Sequence, residues 1–312
     1  MRKIYAIGES LVDIIFRGGQ PQAAKAGGSM LNSAVSLGRI GLPVALITEY
    51  ASDDVGNLID SFLKENNVST KHGSIYENGK TALAMAFLDE KNDAHYTFYK
   101  HYPEKRLIID FPSIKKEDIL LYGSIYSITR EIRTNFMKIV RSASKNGALL
   151  VYDPNFRKAH LDELEELKPL ILQNLRLASI IRASDEDCRN IFGTSGPDEA
   201  WSVVRKYCGC LVYTANADGV SVRTKSFSDN FPVKKITPVS TIGAGDNFNA
   251  GLIASFCSLN IKADDLPATG RKEWEKIIST AVEFASNVCL SYDNYIDLAF
   301  ARRYRSASRS QI

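Results

Sequence analysis

The chain is short of the features that would send its reading elsewhere. No apolar run among its 312 residues approaches the roughly 18 needed to cross a bilayer, so no transmembrane helix is expected. Five cysteines, an odd number and widely scattered, exclude a disulfide framework. Cys208-Gly209-Cys210 is too tight for a zinc pair and has no second half, so all five read as reduced packing residues. Four histidines, His72, His95, His101 and His160, show no metal-ligand spacing. Net charge is only +3, and the last eleven residues hold Arg302, Arg303, Arg305 and Arg309 without an acid. Setting those four aside leaves −1 on the body, too little for a nucleic-acid surface. The 302–312 segment reads as a solvated, disordered basic tail. Met1-Arg2-Lys3 leads into a short strand with Glu9 and Asp13 close behind, unlike a signal peptide, so a cytoplasmic protein is expected. Neither a Walker A loop nor a G-x-G-x-x-G fingerprint occurs, which leaves a dinucleotide-dependent oxidoreductase with only the α/β pattern in its favour.

What is present is more specific. Ser240-Thr241-Ile242-Gly243-Ala244-Gly245-Asp246-Asn247-Phe248-Asn249-Ala250-Gly251 reads as a tight turn into an amphipathic helix, with Phe248, Leu252 and Phe256 as its buried stripe. Backbone N–H groups of Gly243, Ala244 and Gly245 at the helix start favour a phosphate or a developing negative charge. Asp246 lies in the same turn, where a carboxylate can take a proton from a hydroxyl. An anion cradle beside a base is the minimum equipment for phosphoryl transfer to an alcohol. Glycine-rich strand-to-helix turns are common in α/β proteins, so context has to decide.

A second run, Gly27-Gly28-Ser29-Met30-Leu31-Asn32-Ser33-Ala34-Val35-Ser36-Leu37-Gly38-Arg39-Ile40-Gly41, also turns into a helix. The glycine pair lets a ligand approach the backbone. Asn32 offers an amide to sugar hydroxyls. β-like runs alternate with helical ones: Ile4–Gly8, Val44–Glu49, Leu120–Ser124, Ala148–Tyr152, Ile180–Ala183 and Leu211–Thr214 read as strands, and 54–66 and 134–146 as helices. That pattern implies parallel βαβ units in a three-layer α/β/α domain, with ligands beyond the carboxyl ends of the strands. A further strand is expected at 231–236. Val12–Phe16 and a hairpin of 80–89 and 94–100, turning at Glu90-Lys91-Asn92-Asp93, break the alternation.

Together the two glycine runs resemble the N- and C-terminal signatures of the ribokinase-like, or PfkB, sugar kinases. Gly8-Glu9 and Asp13, Asp53 and Gly56, Asp153-Pro154-Asn155-Phe156-Arg157, and Thr214 to Gly219 fall between them in the family's order. The resemblance spans nearly the whole chain. It implies one ribokinase-like domain over 1–312 with a mostly parallel central sheet and a small β-lid from about 11–25 and 70–104. It also implies transfer from ATP, with magnesium, to a small sugar. Asp246 would be the base and Gly243, Ala244 and Gly245 the anion hole. Asp13, Gly27, Gly28, Asn32 and Arg157 would hold the sugar, with Thr81, Ala84, Phe98 and Lys100 as lid contacts. Ser184, Thr214 and Gly219 would surround the nucleotide. Asn287, on a helix over 273–290, lies near adenine or is simply a helix-surface residue. Asp187, or Glu186, would take the place of the family's magnesium-organising Glu.

Three departures stand out: Ser240 replaces the Asp that supports a monovalent-cation site, Ser184-Asp185-Glu186-Asp187 replaces N-x-x-E, and Asn216 replaces the glycine of T-x-G. A monovalent-cation role is doubtful on the first ground. Asn tolerates the left-handed region, so the turn survives the third. The Gly8–Asp13 opening resembles fructokinases and makes fructose the leading acceptor, ahead of ribose, 2-keto-3-deoxygluconate or a nucleoside. A sugar-binding regulatory protein is the alternative of another class. Lid edges in this family often pair, so a homodimer through the lid is expected, with neither nucleic acid nor membrane as partner.

Overall fold

The computed structural model describes residues 2–88 and 94–309. In chain order the strands are β1 (Ile4–Ile7), β2 (Leu11–Arg17), β3 (Gln20–Gly27), β4 (Val44–Ile47), β5 (Glu49–Ala51), β6 (Val68–Ser69), β7 (Ser74–Tyr76), β8 (Lys80–Leu88), β9 (Ala94–His101), β10 (Ile119–Gly123), β11 (Leu149–Asp153), β12 (Ile180–Ser184), β13 (Cys210–Thr214), β14 (Val220–Thr224) and β15 (Ser228–Phe231). The helices are α1 (Ser29–Arg39), α2 (Asp54–Glu65), α3 (Arg133–Lys145), α4 (Leu164–Leu177), α5 (Asp185–Phe192), α6 (Pro197–Val204), α7 (Ala244–Ser258), α8 (Arg271–Cys289) and α9 (Leu298–Arg309).

The main sheet runs β15-β14-β13-β12-β11-β10-β1-β4-β6. It is parallel from β6 to β13 and closes with the antiparallel strands β14 and β15. Helices cover both faces, so the central strands bury alternate residues into two separate cores. Leu121, Leu149 and Val151 face a core with Met30, Phe256 and Trp274. Leu120, Leu150 and Tyr152 face another with Phe136, Ile171 and Val204. This double burial is why β10 and β11 read as unbroken apolar runs instead of alternating ones. The result is the expected three-layer α/β/α domain.

The smaller sheet, β3-β2-β8-β9, is the lid. Its strands occupy 11–27 and 80–101, so it is tighter than the expected 70–104; β7 pairs with β5 instead. The expected hairpin turn at 90–93 lies outside the described residues. Alternation along the lid puts Asp13, Ile15, Ala86, Leu88 and Tyr96 on the side facing the main domain, where all five line one cavity.

Three expectations need correcting. The strand expected at 231–236 ends at Phe231, where β15 stops; Pro232 and Pro238 follow and cannot donate to a ladder. Helix α7 is not amphipathic: every residue from Asp246 to Phe256 is buried, because α1 and α8 pack on it and its apolar side chains share a core with the central strands. The 302–309 part of the expected tail is the last two-thirds of α9, seated by Phe300 and Tyr304 against Phe284, with ring centroids 5.1 and 5.2 Å away. All five cysteines are free, and four of them are buried.

Candidate active site

Asp153, Asn155, Ser184, Asp187 and Thr214 gather at the carboxyl ends of β11, β12 and β13, with Asn32 and Asp246 facing them from the starts of α1 and α7. Both helix starts are set by glycine. Gly28 caps α1 at φ 128°, and a Cβ there would lie 2.1 Å from the Glu9 carbonyl oxygen. Gly243 caps α7 at φ 76°, and a Cβ would lie 2.7 Å from the Asn294 carbonyl. Of the three expected cradle amides, Ala244 N–H turns back to the Thr241 carbonyl at 3.2 Å. Gly243 and Gly245 are left as the candidate anion donors of the three.

Asp246 is buried at the first turn of α7. Its Oδ1 accepts from the Ser29 hydroxyl at 2.5 Å and its Oδ2 from the Asn32 amide at 2.8 Å. Ser33 Oγ donates to the Asp246 backbone carbonyl at 2.7 Å, so α1 grips both ends of the residue. Burial pushes the Asp246 carboxyl upward, the Ser29 and Asn32 hydrogen bonds oppose it, Asp153 adds to the rise and Arg157 counters it. Asn32 spends its amide on Asp246 and leaves a buried Oδ1 without a partner, an acceptor ready for a hydroxyl.

Asp13 faces the same space from the lid. Burial, and after it the Asp246 carboxylate, push Asp13 up to about 7; the Asn294 amide, 3.4 Å from Oδ2, opposes this. A cavity of about 80 Å³ lies between lid and domain, lined by Asp13, Tyr96, Ser240, Thr241, Ile242 and Asn294. Gly27 makes room for Asp13: a Cβ there would meet its Oδ2 at 2.1 Å.

Two site residues carried no signal in the sequence. Arg182, on β12, is buried and donates to Asp153 Oδ2 at 3.0 Å and to Thr214 Oγ1 at 2.7 Å. Its guanidinium lies against Gly245, where a Cβ would come within 2.7 Å of Nη1. It therefore ties three strand exits to the cradle. Asn294 lines the cavity, and its carbonyl accepts from Asn247 Nδ2 at 2.8 Å, which also holds the Gly243 carbonyl at 2.8 Å. A lone arginine inside a strand and an asparagine in a loop have no spacing to betray them.

Comparison with known proteins agrees with this geometry. A sequence model described as the pfkB family carbohydrate kinase matches residues 1–298. The chain belongs to that family. Among its relatives, it is 31% identical to a probable chloroplastic fructokinase-6 of Arabidopsis thaliana, covering 82% of this chain and 70% of that one. It is 30% identical to a fructokinase of Rhizobium leguminosarum bv. trifolii, covering 84% and 81%. In fold it resembles a Vibrio cholerae fructokinase crystallised with fructose, ADP and calcium, at TM-score 0.83, 21% identity and 97% and 99% coverage. An aminoimidazole riboside kinase of Salmonella enterica, complexed with its riboside and an ATP analogue, matches at TM-score 0.83, 20% identity and 98% and 100% coverage.

The remaining residues of this carbohydrate kinase divide between the site and its scaffold. Arg157 is exposed just past β11, near enough for its charge to act on Asp246 and Tyr96. Thr214 ends β13, and the loop after it closes through Ala215 N–H to the Gly219 carbonyl at 2.9 Å. Asn216 takes the left-handed conformation at φ 46°, so the departure from glycine is absorbed as expected. Ser184 caps α5, and Asp187 returns the bond: its Oδ2 accepts from Ser184 N–H and Oγ at 2.8 and 2.6 Å, and its Oδ1 from Phe156 N–H at 2.6 Å. Both Asp187 oxygens thus already accept protein hydrogen bonds, three in all, which ties the carboxylate to the α5 cap and the exit of β11. Asn287 is tied to Asp297, donating at 2.7 Å and accepting at 3.0 Å, which fastens α8 to the start of α9 and fits the helix-surface alternative. Thr81 is not a pocket residue either: it is buried, with its hydroxyl 2.6 Å from Asp53, the cap of α2, and so roots the lid. Lys100 pairs with Glu9 at 2.6 Å, joining lid strand β9 to the loop after β1. Among the described residues no three His, Cys, Asp or Glu side chains converge as a metal site, and no helix is long and apolar enough to cross a membrane.

Proposed function

We propose that this kinase transfers the γ-phosphoryl group of ATP to a hydroxyl of a small sugar, with fructose the leading acceptor, by direct in-line displacement. The observation that carries this is a buried carboxylate, Asp246, held by Ser29 and Asn32 within one turn of the Gly243–Gly245 amides. The sugar enters between lid and domain. Asp13 and the free Oδ1 of Asn32 accept its hydroxyls and aim one at Asp246, which takes the proton as the oxygen attacks phosphorus. The Gly243 and Gly245 amides and the α7 dipole meet the charge on the transferring oxygens. Arg157 adds a permanent cation beside them. Thr214 to Gly219 border the nucleotide. Closure of the lid keeps water from competing as acceptor. Magnesium would neutralise phosphate charge; because three protein donors already hold Asp187, the ion would be carried by the nucleotide and its waters, with the Asp187 carboxylate acting on it through water. Fructose is favoured by the relatives in Arabidopsis and Rhizobium and by the Gly8–Asp13 opening. Pairing of two lids, whose Phe98 and Tyr99 are over half exposed, accounts for an expected homodimer.

The test is ADP release with MgATP against fructose, ribose, 2-keto-3-deoxygluconate, tagatose and adenosine, beside Asp246→Asn. Turnover on one sugar is expected, with kcat falling about 10²–10⁴-fold in the variant while both ligands still bind. Binding without turnover on every acceptor favours a regulatory sugar-binding role. Near-normal kcat in Asp246→Asn removes the base assignment.

A further inference from the structure

We propose that Ser29 is a positioning residue for Asp246, with its hydroxyl aimed by Asn155 so that it can only donate to the carboxylate. This rests on Asp246 being the base. The direction of the relay is set by its far end. Asn155 Nδ2 donates to Ser29 Oγ at 3.0 Å, which occupies the hydroxyl as an acceptor and sends its single proton to Asp246 Oδ1, 2.5 Å away. Three elements meet in this relay: the exit of β11, the start of α1 and the start of α7.

Asn155 is held for the task. Its φ is 41°, a left-handed conformation that asparagine tolerates better than most residues. Its N–H closes onto Asp153 Oδ1 at 3.0 Å, which fixes the turn that carries the amide across to Ser29. The need for such a relay is electrostatic. Asp246 is buried, faces the carboxylates of Asp153 and Asp13, and has Arg157 and Arg182 as its nearby cations. A hydrogen bond to the ionised form opposes the rise that burial imposes on the carboxyl, and Asn32 supplies only one of the two.

The test uses Ser29→Ala, Ser29→Thr and Asn155→Gly in the full chain, the last keeping the left-handed turn. In Ser29→Ala the acid limb of the kcat/KM profile is expected to move up by about one pH unit. Turnover then falls about tenfold on the acid limb, changes little on the plateau above it, and leaves the KM for ATP within about twofold. Ser29→Thr restores the limb, and Asn155→Gly moves it in the same direction by less. Carboxyl ¹³C titration of the ligand-free protein, with Asp246 assigned by its loss in Asp246→Asn, reads the same shift without turnover. A loss that is equal at every pH, or an Asp246 titration unmoved in Ser29→Ala, overturns the proposal. Should the wild type phosphorylate none of the acceptors, the titration alone decides it, and the missing turnover counts against the kinase reading.

Discussion

Removing the charge of Asp13 should stabilise the ligand-free protein while damaging its activity, and the effect should depend on pH. The carboxyl lies on a lid strand, with Asp246 and Glu9 as its carboxylate neighbours and the Asn294 amide as its donor. Burial first, and the neighbouring charges after it, raise it from an ordinary 3.8 to about 7. The folded protein therefore holds a proton that the unfolded chain has already lost between about pH 4 and 7. Stability falls as pH rises through that window, and the penalty is complete above it. At about 1.4 kcal/mol per pKa unit the ceiling is about 4 kcal/mol. Partial exposure of the side chain to water lowers the realised figure to about 2 kcal/mol. Asp13→Asn keeps the shape and cannot ionise. Urea unfolding at pH 5, 6.5 and 8 should show the variant's advantage growing with pH, from about a third of its full size at the lowest to about 2 kcal/mol at the highest, with acceptor kcat/KM reduced throughout. A difference that does not change with pH, or a variant less stable at pH 8, would refute the electrostatic account of this carboxyl.

Arg182→Met should leave Asp153 with Asn249 and no cation, costing about 3–5 kcal/mol in urea unfolding. Adding Asp153→Asn should recover much of that, and a loss below about 1 kcal/mol from the single change would show that the pair is not holding the strand exits. Deleting 302–312 removes Tyr304 from its T-shaped contact with Phe284 and should lower stability by about 1–3 kcal/mol. The same deletion should leave kcat unchanged at saturating substrate, and an unchanged melting temperature would show that α9 does not dock in solution.

How far the molecule could be read from its residues depended on what kind of constraint each residue serves. Both glycine runs were legible because Gly28 and Gly243 must take positive φ where a helix begins, and backbone geometry of that sort leaves a mark at fixed spacing. The β10 and β11 strands were legible because burial on both faces demands continuous apolar runs. The 302–312 segment misled because charge was read without its period: Phe300 and Tyr304 are four residues apart, one helical turn, and both rings seat on Phe284 while Arg302, Arg303 and Arg305 point outward. Asp187 was ambiguous for another reason. Three residues after Ser184, a carboxylate serves a helix cap or a metal equally well; the two Ser184 donors and the Phe156 N–H show the cap, a bond that sequence alone does not reveal. Arg182 and Ser29 lie beyond any such pattern. Their importance comes from Asp153 and Thr214, 29 and 32 positions away in the chain, for the one, and from Asn155 and Asp246, more than 120 positions away, for the other. Chemistry assembled across that distance is set by the register of the parallel strands, so it becomes visible only once β11, β12 and β13 lie side by side and bring their exits to one point.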